Sequence, residues 1–169
     1  MTDVDRDWVF RRPIPADHPT VVAVVDDWWG GRRLRDLLPR MWFDHFTGTS
    51  WIAEDRDGRL AGFLVGFVSP DQPTVGYVHM IATSPNDRGR GLGRHLYERF
   101  FIDVAARGVQ EVRAVTWPGN RTSVAFHRAL GFEVDDGPGT QRLYGTPAYP
   151  DDDGEGEDRV RFRRRIEFG

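Results

Sequence analysis

Residues 88–94 read Arg-Gly-Arg-Gly-Leu-Gly-Arg, so three glycines and three arginines share seven positions. Glycine lets a backbone approach a ligand closely and adopt a positive φ. Where such a run opens a helix, the unpaired amides of the first turn and the helix dipole favour an anion. Arg88, Arg90 and Arg94 add forked, permanently charged donors around it. The chemistry on offer is the grip of a phosphate or diphosphate by the main chain at Gly89, Arg90, Gly91, Leu92, Gly93 and Arg94.

Two absences narrow the reactions. All 23 basic residues are arginine, and there is no cysteine. A covalent acyl-cysteine, a disulfide, a thiolate metal site and a Schiff-base lysine are therefore excluded. Of the phosphate loops, a Walker loop needs a lysine. A dinucleotide fingerprint, Gly-x-Gly-x-x-Gly, finds Arg94 at its sixth place counted from Gly89 and Leu96 counted from Gly91. Chemistry must run through His, Tyr, carboxylates, hydroxyls, amides or water, and nothing calls for a metal.

The elements that must position the loop follow from periodicity. A first strand is predicted over 8–14, then a helix capped by Asp17 and stopped at Gly30-Gly31, then a second helix over 32–46 with apolar residues three and four apart. Strands are expected over 50–54 and 60–69, joined through Asp57-Gly58, and over 75–83. Leu92, Leu96, Phe100 and Val104 recur every four residues and mark a helix over 92–107. A strand over 111–116, a helix over 120–130 and a strand after Gly131 follow. The Gly-, Pro- and Asp-rich stretch 138–158 reads as a long loop, and 159–168 as a closing strand. The fold class is α+β, a mixed, mostly antiparallel sheet of about six to seven strands with helices on both faces. One domain over 1–169 is expected.

The arrangement Arg88-x-x-Gly91-x-Gly93 resembles the pyrophosphate loop of the GCN5-related N-acetyltransferase (GNAT) superfamily. Upstream, Ile81-Ala82-Thr83-Ser84-Pro85 is similar to the family strand that ends Leu-Ala-Val-x-Pro. Downstream, the block from Asn120 to Leu130-Gly131-Phe132 resembles the family segment that opens with Asn and ends Leu-Gly-Phe. The likeness covers roughly 60–132, and the termini only by order of elements. It implies acetyl-coenzyme A as co-substrate, with its diphosphate on residues 88–94. Its pantetheine arm would pair with the backbone at Ile81, Ala82 and Thr83 like an added strand. By family position Asn120 would bond that arm, and by residue type it is also a helix N-cap.

The resemblance implies two catalytic histidines. His127 stands where the family usually has a tyrosine acid that protonates the leaving thiolate; a packing histidine is the alternative. His79 stands where some members carry the general base, four residues before Thr83; an ordinary strand histidine with water as base is the alternative. Strict alternation would put Tyr77, His79, Ile81 and Thr83 on one face. Asp44, His45 and Glu54 are further candidate bases, and an amide near Ala82 or Thr83 would suit the oxyanion. Without cysteine, direct transfer in a ternary complex is the consistent route.

The acceptor implied is a small-molecule primary amine. A protein or peptide N-terminus, and a non-catalytic acyl-CoA-binding module, are the other readings. Trp28, Trp29, Met41, Trp42, Phe43, Phe46 and residues 144–149 are candidates for the acceptor wall, with core packing the plainer role for Trp42 and Phe46. The formal net charge of −3 argues against nucleic acid. No apolar run is long enough to span a bilayer, and residues 1–7 are polar and acidic, so no membrane partner and a cytoplasmic setting are expected. A homodimer is in keeping with the family.

Overall fold

Apolar periodicity resolves into two cores, one on each face of a single large sheet. The computed structural model describes residues 7–167; the polar residues 1–6 and Phe168, assigned above to the chain start and the closing strand, lie outside the described residues. In chain order the elements are β1 (Val9–Arg11), α1 (Asp17–Trp28), α2 (Met41–His45), β2 (Trp51–Glu54), β3 (Leu60–Val68) and β4 (Val75–Thr83). Then come α3 (Leu92–Ala105), β5 (Glu111–Thr116), α4 (Arg121–Ala129), β6 (Glu133–Val134), β7 (Gln141–Leu143), β8 (Thr146–Ala148) and β9 (Val160–Arg165).

The main sheet has seven strands in the order β1-β2-β3-β4-β5-β9-β6, while β7 and β8 form a separate hairpin. Every neighbouring pair in the main sheet is antiparallel except β4–β5, which is parallel. The α+β class with helices on both faces is what the sequence led us to expect. On one face α3 and α4 bury Leu92, Leu96, Tyr97, Phe100, Val104 and Val124. On the other, α1 and α2 bury Val21, Val25, Trp28, Trp42 and Phe43. Each fully buried large apolar side chain contributes about 1.5–3 kcal/mol, so these two layers hold the sheet between them.

The strand pair that matters most is the parallel one. Its register runs only from Val75↔Glu111 to Tyr77↔Arg113, after which β4 and β5 part. The rest of β4 keeps β3 on one edge and, among the described residues, has no strand on the other.

Four expectations need correction. The helix predicted over 32–46 is a short 3-10 turn, Arg35–Leu37, followed by α2. Pro39 lacks an N–H and drives Leu38 out of helical geometry, to φ −126° and ψ 62°. Asp17 is not an N-cap: Ala16 holds that place, and the Asp17 carboxylate grips the Arg11 guanidinium at 2.7 and 2.8 Å. The stretch 138–158 is not one loop, because β7 and β8 pair within it and Tyr149 bridges Arg159.

The fourth concerns β4. Val65 faces Met80 but Gly66 faces Val78, so His79 is the extra residue of a β-bulge. Val78 packs on the α3 side, and Ile81 packs against that same cluster. Met80 and Ala82 pack on the α1 side, and His79 stacks on Trp42 there. Strict alternation across Tyr77 to Thr83 therefore fails, and His79 and Ile81 face opposite ways.

Candidate active site

The parting of β4 from β5 opens a cleft of about 700 Å³. The ends of both strands, residues 87–89 and 91–94, the turn after α1 and the start of α4 line it.

At its phosphate end the chain turns at Ser84, whose hydroxyl accepts from the Asn86 amide, into the 3-10 turn Pro85–Asp87. Gly89 and Gly91 take φ of +74° and +84°, a left-handed geometry that a side chain resists. Gly91 is the N-cap of α3. Among the described residues, no amide of 88–94 donates to a carbonyl or to a side chain within hydrogen-bond distance. Such groups at an exposed helix start are an anion site.

The side chains around these amides divide their work. Arg88 reaches across to donate to the Trp28 carbonyl, tying the end of α1 to the loop. Arg90 pairs with Asp87 and Asp7 and lies 4.8 Å from the Trp8 ring, so its charge is already compensated and it braces the loop against residues 7 and 8, just before β1. Arg94 donates to the Ala129 carbonyl at 3.3 Å. Leu92 points into the core, so only its amide can serve a ligand. Gly93 differs from the other two glycines: a Cβ there would meet the Phe126 ring at 2.9 Å. Its missing side chain lets α3 and α4 approach, rather than an anion.

Along the middle of the cleft runs the open edge of β4. The Ser84 amide donates to the Ala61 carbonyl at 2.7 Å, so Ser84 and, two residues earlier, Ala82 turn their backbone groups toward β3. Ile81 and Thr83 therefore turn theirs to the unpaired edge. An extended ligand can pair with those two residues, and Ala82 contributes only its buried methyl to the wall. Asn120 closes this side as the N-cap of α4, its Oδ1 accepting from the Ser123 amide at 3.1 Å. The capping role is thus filled by the oxygen, while the amide nitrogen stays available to the cleft that Asn120 lines.

His79 stands on the bulge, half-buried, its ring stacked on Trp42 at 4.3 Å and 9°. Its Nε2 lies 2.5 Å from the Leu37 carbonyl. A carbonyl only accepts, so Nε2 carries the proton and Nδ1 carries a lone pair. Burial holds the His79 pKa below the ordinary imidazole value, against the opposing pull of the Leu37 carbonyl. The ring is therefore neutral at pH 7. Asp44 pairs with Arg40, Glu54 pairs with Arg11, and neither these nor His45 lines the cleft.

His127 is placed differently. It is buried, stacked on Phe162 at 4.4 Å and 7°. Nδ1 lies 2.8 Å from the Ser123 carbonyl and must carry the proton; Nε2 then accepts from the Tyr97 hydroxyl at 2.7 Å. Burial pushes its pKa down to about 4. Burial likewise raises that of Tyr97 far above the ordinary phenol value. This geometry leaves His127 no proton to offer the cleft, and the expected acid role finds no support in it.

Of the aromatic candidates, Trp42 and Phe43 are core, as is Trp28, which also lines the cleft; Trp29 is half-buried and Met41 exposed. Three residues of the site had no place in the sequence reading. Tyr97 sits one residue beyond the four-spaced stripe of α3. Trp117 precedes the turn Pro118-Gly119, and its proximity to Asn120 was the one available hint. Arg32 carries no local signal, because its partner, Trp117, is far along the chain.

A glycine-arginine loop opening a helix beside a splayed parallel strand pair defines a nucleotide-coenzyme-binding α+β protein. The sequence model of the Acetyltransferase (GNAT) family matches residues 17–132, and the chain belongs to that family. It is 33% identical over 112 residues to the L-2,4-diaminobutyric acid acetyltransferase of Nocardia farcinica, a match covering 66% of this chain and 58% of that one. The chain thus spans under two thirds of the length of that relative. The diaminobutyrate acetyltransferase of Paenibacillus lautus, solved with its substrate and coenzyme A, superposes with a TM-score of 0.70 at 23% identity, covering 97% of this chain and 99% of that one. The phosphinothricin acetyltransferase of Sinorhizobium meliloti, solved with acetyl-CoA, gives 0.71 at 22% identity, with 96% and 90% covered. At those identities the structural likeness speaks for the fold.

Proposed function

We propose that the protein transfers an acetyl group from acetyl-CoA to a primary amine of a small-molecule acceptor, directly and within a ternary complex. The observation that carries the reading is the run of unpaired amides over 88–94, continuous with the open edge of β4 at Ile81 and Thr83. Together they offer donors for a diphosphate and a strand edge for an amide-containing arm, which are the two parts of coenzyme A. Names of relatives that acetylate a small diamino acid support the acceptor class.

Bound acetyl-CoA supplies a thioester carbonyl. An acceptor ammonium must lose its proton before it can attack, and the lone pair on His79 Nδ1 takes that proton, directly or through one water. The Leu37 carbonyl and the Trp42 ring hold the imidazole in that tautomer and orientation. The free amide of Thr83 or Ile81 stabilises charge developing on an oxygen at the strand edge. A thiolate with a reference pKa of about 8.5 leaves without a strong acid, so solvent can protonate it. Most of the acceleration then comes from holding two reactants side by side.

The test is release of free thiol when the protein meets acetyl-CoA and a panel of amines, peptides and aminoglycosides. The chain has no thiol of its own, so the signal has no protein background. Thiol released only with peptides would move the acceptor to protein N-termini, and none with any acceptor would leave a binding module. A single domain, a homodimer and a cytoplasmic setting belong to the same proposal; one cooperative unfolding transition, light scattering and fractionation test them. No helix among the described residues is long and apolar enough to cross a membrane.

A further inference from the structure

At the rim of the cleft three segments far apart in sequence meet on one indole ring. Trp117 follows β5 directly, and the turn Trp117-Pro118-Gly119-Asn120 is closed by the Asn120 amide donating to the Trp117 carbonyl at 2.9 Å. The ring folds back over Gly119, where a Cβ would lie 2.1 Å from it, so only glycine leaves it room. Tyr144, from the tip of the β7–β8 hairpin, meets the ring edge-on at 5.2 Å. The Arg32 guanidinium, from the link between α1 and α2, lies 4.7 Å from the ring centroid.

Two features set this cluster apart from packing. Tyr144 is 55% exposed and has φ of +52°, in the first central position of a hairpin turn where Asn or Gly fits without strain. A bulky residue there costs about 1–2 kcal/mol, so its ring is kept against local preference. Arg32 lines the cleft and is exposed, yet it makes no ion pair among the described residues. Its neighbours do pair: Arg33 with Asp36, and Arg35 with Asp26. Arg88 and Arg94 donate to carbonyls at the phosphate end.

Stacking occupies the face of a guanidinium and leaves its in-plane N–H donors free, the geometry that grips a carboxylate through two parallel bonds. We propose that Arg32, held ready by Trp117 and Tyr144, binds the carboxylate of the acceptor, and that the acceptor is therefore an amino acid rather than a simple amine. This inference rests on the acetyl-transfer reading above. The shared chemistry is anion recognition, and a phosphate of coenzyme A is the other anion in reach of the cleft; the experiment separates the two.

The probes are L-2,4-diaminobutyrate and 1,3-diaminopropane, the same diamine without its carboxylate, with coenzyme A titrated separately by calorimetry. The variant is Arg32→Gln, on an exposed side chain whose loss leaves the core intact. The expected result is a KM for diaminobutyrate raised about 10- to 100-fold, from the loss of a charge-assisted bidentate contact. The kcat should stay within about threefold, and both the diaminopropane KM and the coenzyme A Kd within about twofold. An equal KM rise for both amines would reduce Arg32 to a rim-packing residue and overturn the proposal. Weakened coenzyme A binding with unchanged acceptor selectivity would assign the arginine to the phosphate, with the same consequence. A wild type that binds coenzyme A but acetylates neither amine, or prefers diaminopropane, also overturns the amino-acid class. A wild type that does not bind coenzyme A overturns the acetyl-transfer reading itself.

Discussion

The two sides of the cleft are built by different means. On the reading proposed above, the coenzyme side is, apart from Asn120 at the start of α4, one continuous stretch, residues 81–94, and its working groups are main-chain amides made available by a strand that has lost a neighbour and a helix that has just begun. On the same reading, the acceptor side is assembled from side chains on separate segments. His79 comes from the bulge, backed by the core Trp42 of α2, Arg32 from the α1–α2 link, Trp117 from just after β5 and Tyr144 from a hairpin tip. A main-chain site depends on local backbone geometry, and a side-chain site on the whole fold. Binding of coenzyme and choice of acceptor should therefore respond separately to substitution.

The sharpest division comes from His79→Ala. It should lower kcat about 100- to 1,000-fold while leaving the coenzyme A Kd within twofold, measured by thiol release and by calorimetry. A loss of both together would merge the two sides into one. The pH profile adds to this: because burial holds the His79 pKa below the ordinary imidazole value, the acid limb of kcat should fall below pH 6.5 and vanish in the variant.

The wall beneath the coenzyme side carries its own signature. His127 binds a proton near pH 6.5 when unfolded but only near about 4 when buried, so unfolding takes up a proton between those values. The His127 contribution should be constant above pH 6.5 and fall by about 3 kcal/mol as pH drops to 4, and His127→Phe should remove that part of the slope in urea titrations while the share of His79 remains. At pH 7 His127→Phe leaves the buried Tyr97 hydroxyl unpaired and should cost about 1–3 kcal/mol, with the double variant Tyr97→Phe/His127→Phe recovering part of it. Additive losses would mean that the pair is not coupled.

A smaller effect sharpens the contrast among the glycines. Gly93→Ala should destabilise the fold by about 1–3 kcal/mol through its clash with Phe126, and leave coenzyme affinity of the folded protein nearly unchanged. Thermal melts and calorimetry on one sample would check both halves.

How much was legible in the chain beforehand follows the same division. The loop 88–94, the bounds of β4 and β5 and the four-spaced stripe of α3 all rest on local periodicity and on glycine placement, and the structure agrees with them. The break at Pro39 was visible as a residue but overruled by apolar spacing on either side. The β7–β8 hairpin hid behind Gly, Pro and Asp, with a tyrosine where asparagine would have announced the turn. The bulge at His79 leaves no local trace, since it depends on the register with β3, and it decides which core the histidine faces. The roles of Tyr97 and His127 likewise depend on two helices meeting: Tyr97 carried no signal of its own, and His127 read as an acid until the 2.7 Å contact joined the two.

Titration calorimetry with coenzyme A on the wild type and on Gly91→Ala tests the central claim most directly. Gly91 holds φ of +84° at the start of α3, and a side chain there strains the backbone by about 1–2 kcal/mol and turns the neighbouring amides from their line. The account predicts one-to-one binding by the wild type and an affinity about tenfold or more weaker in the variant, with His79→Ala and Arg32→Gln unaffected. No heat from the wild type, or equal affinity in Gly91→Ala, would contradict it.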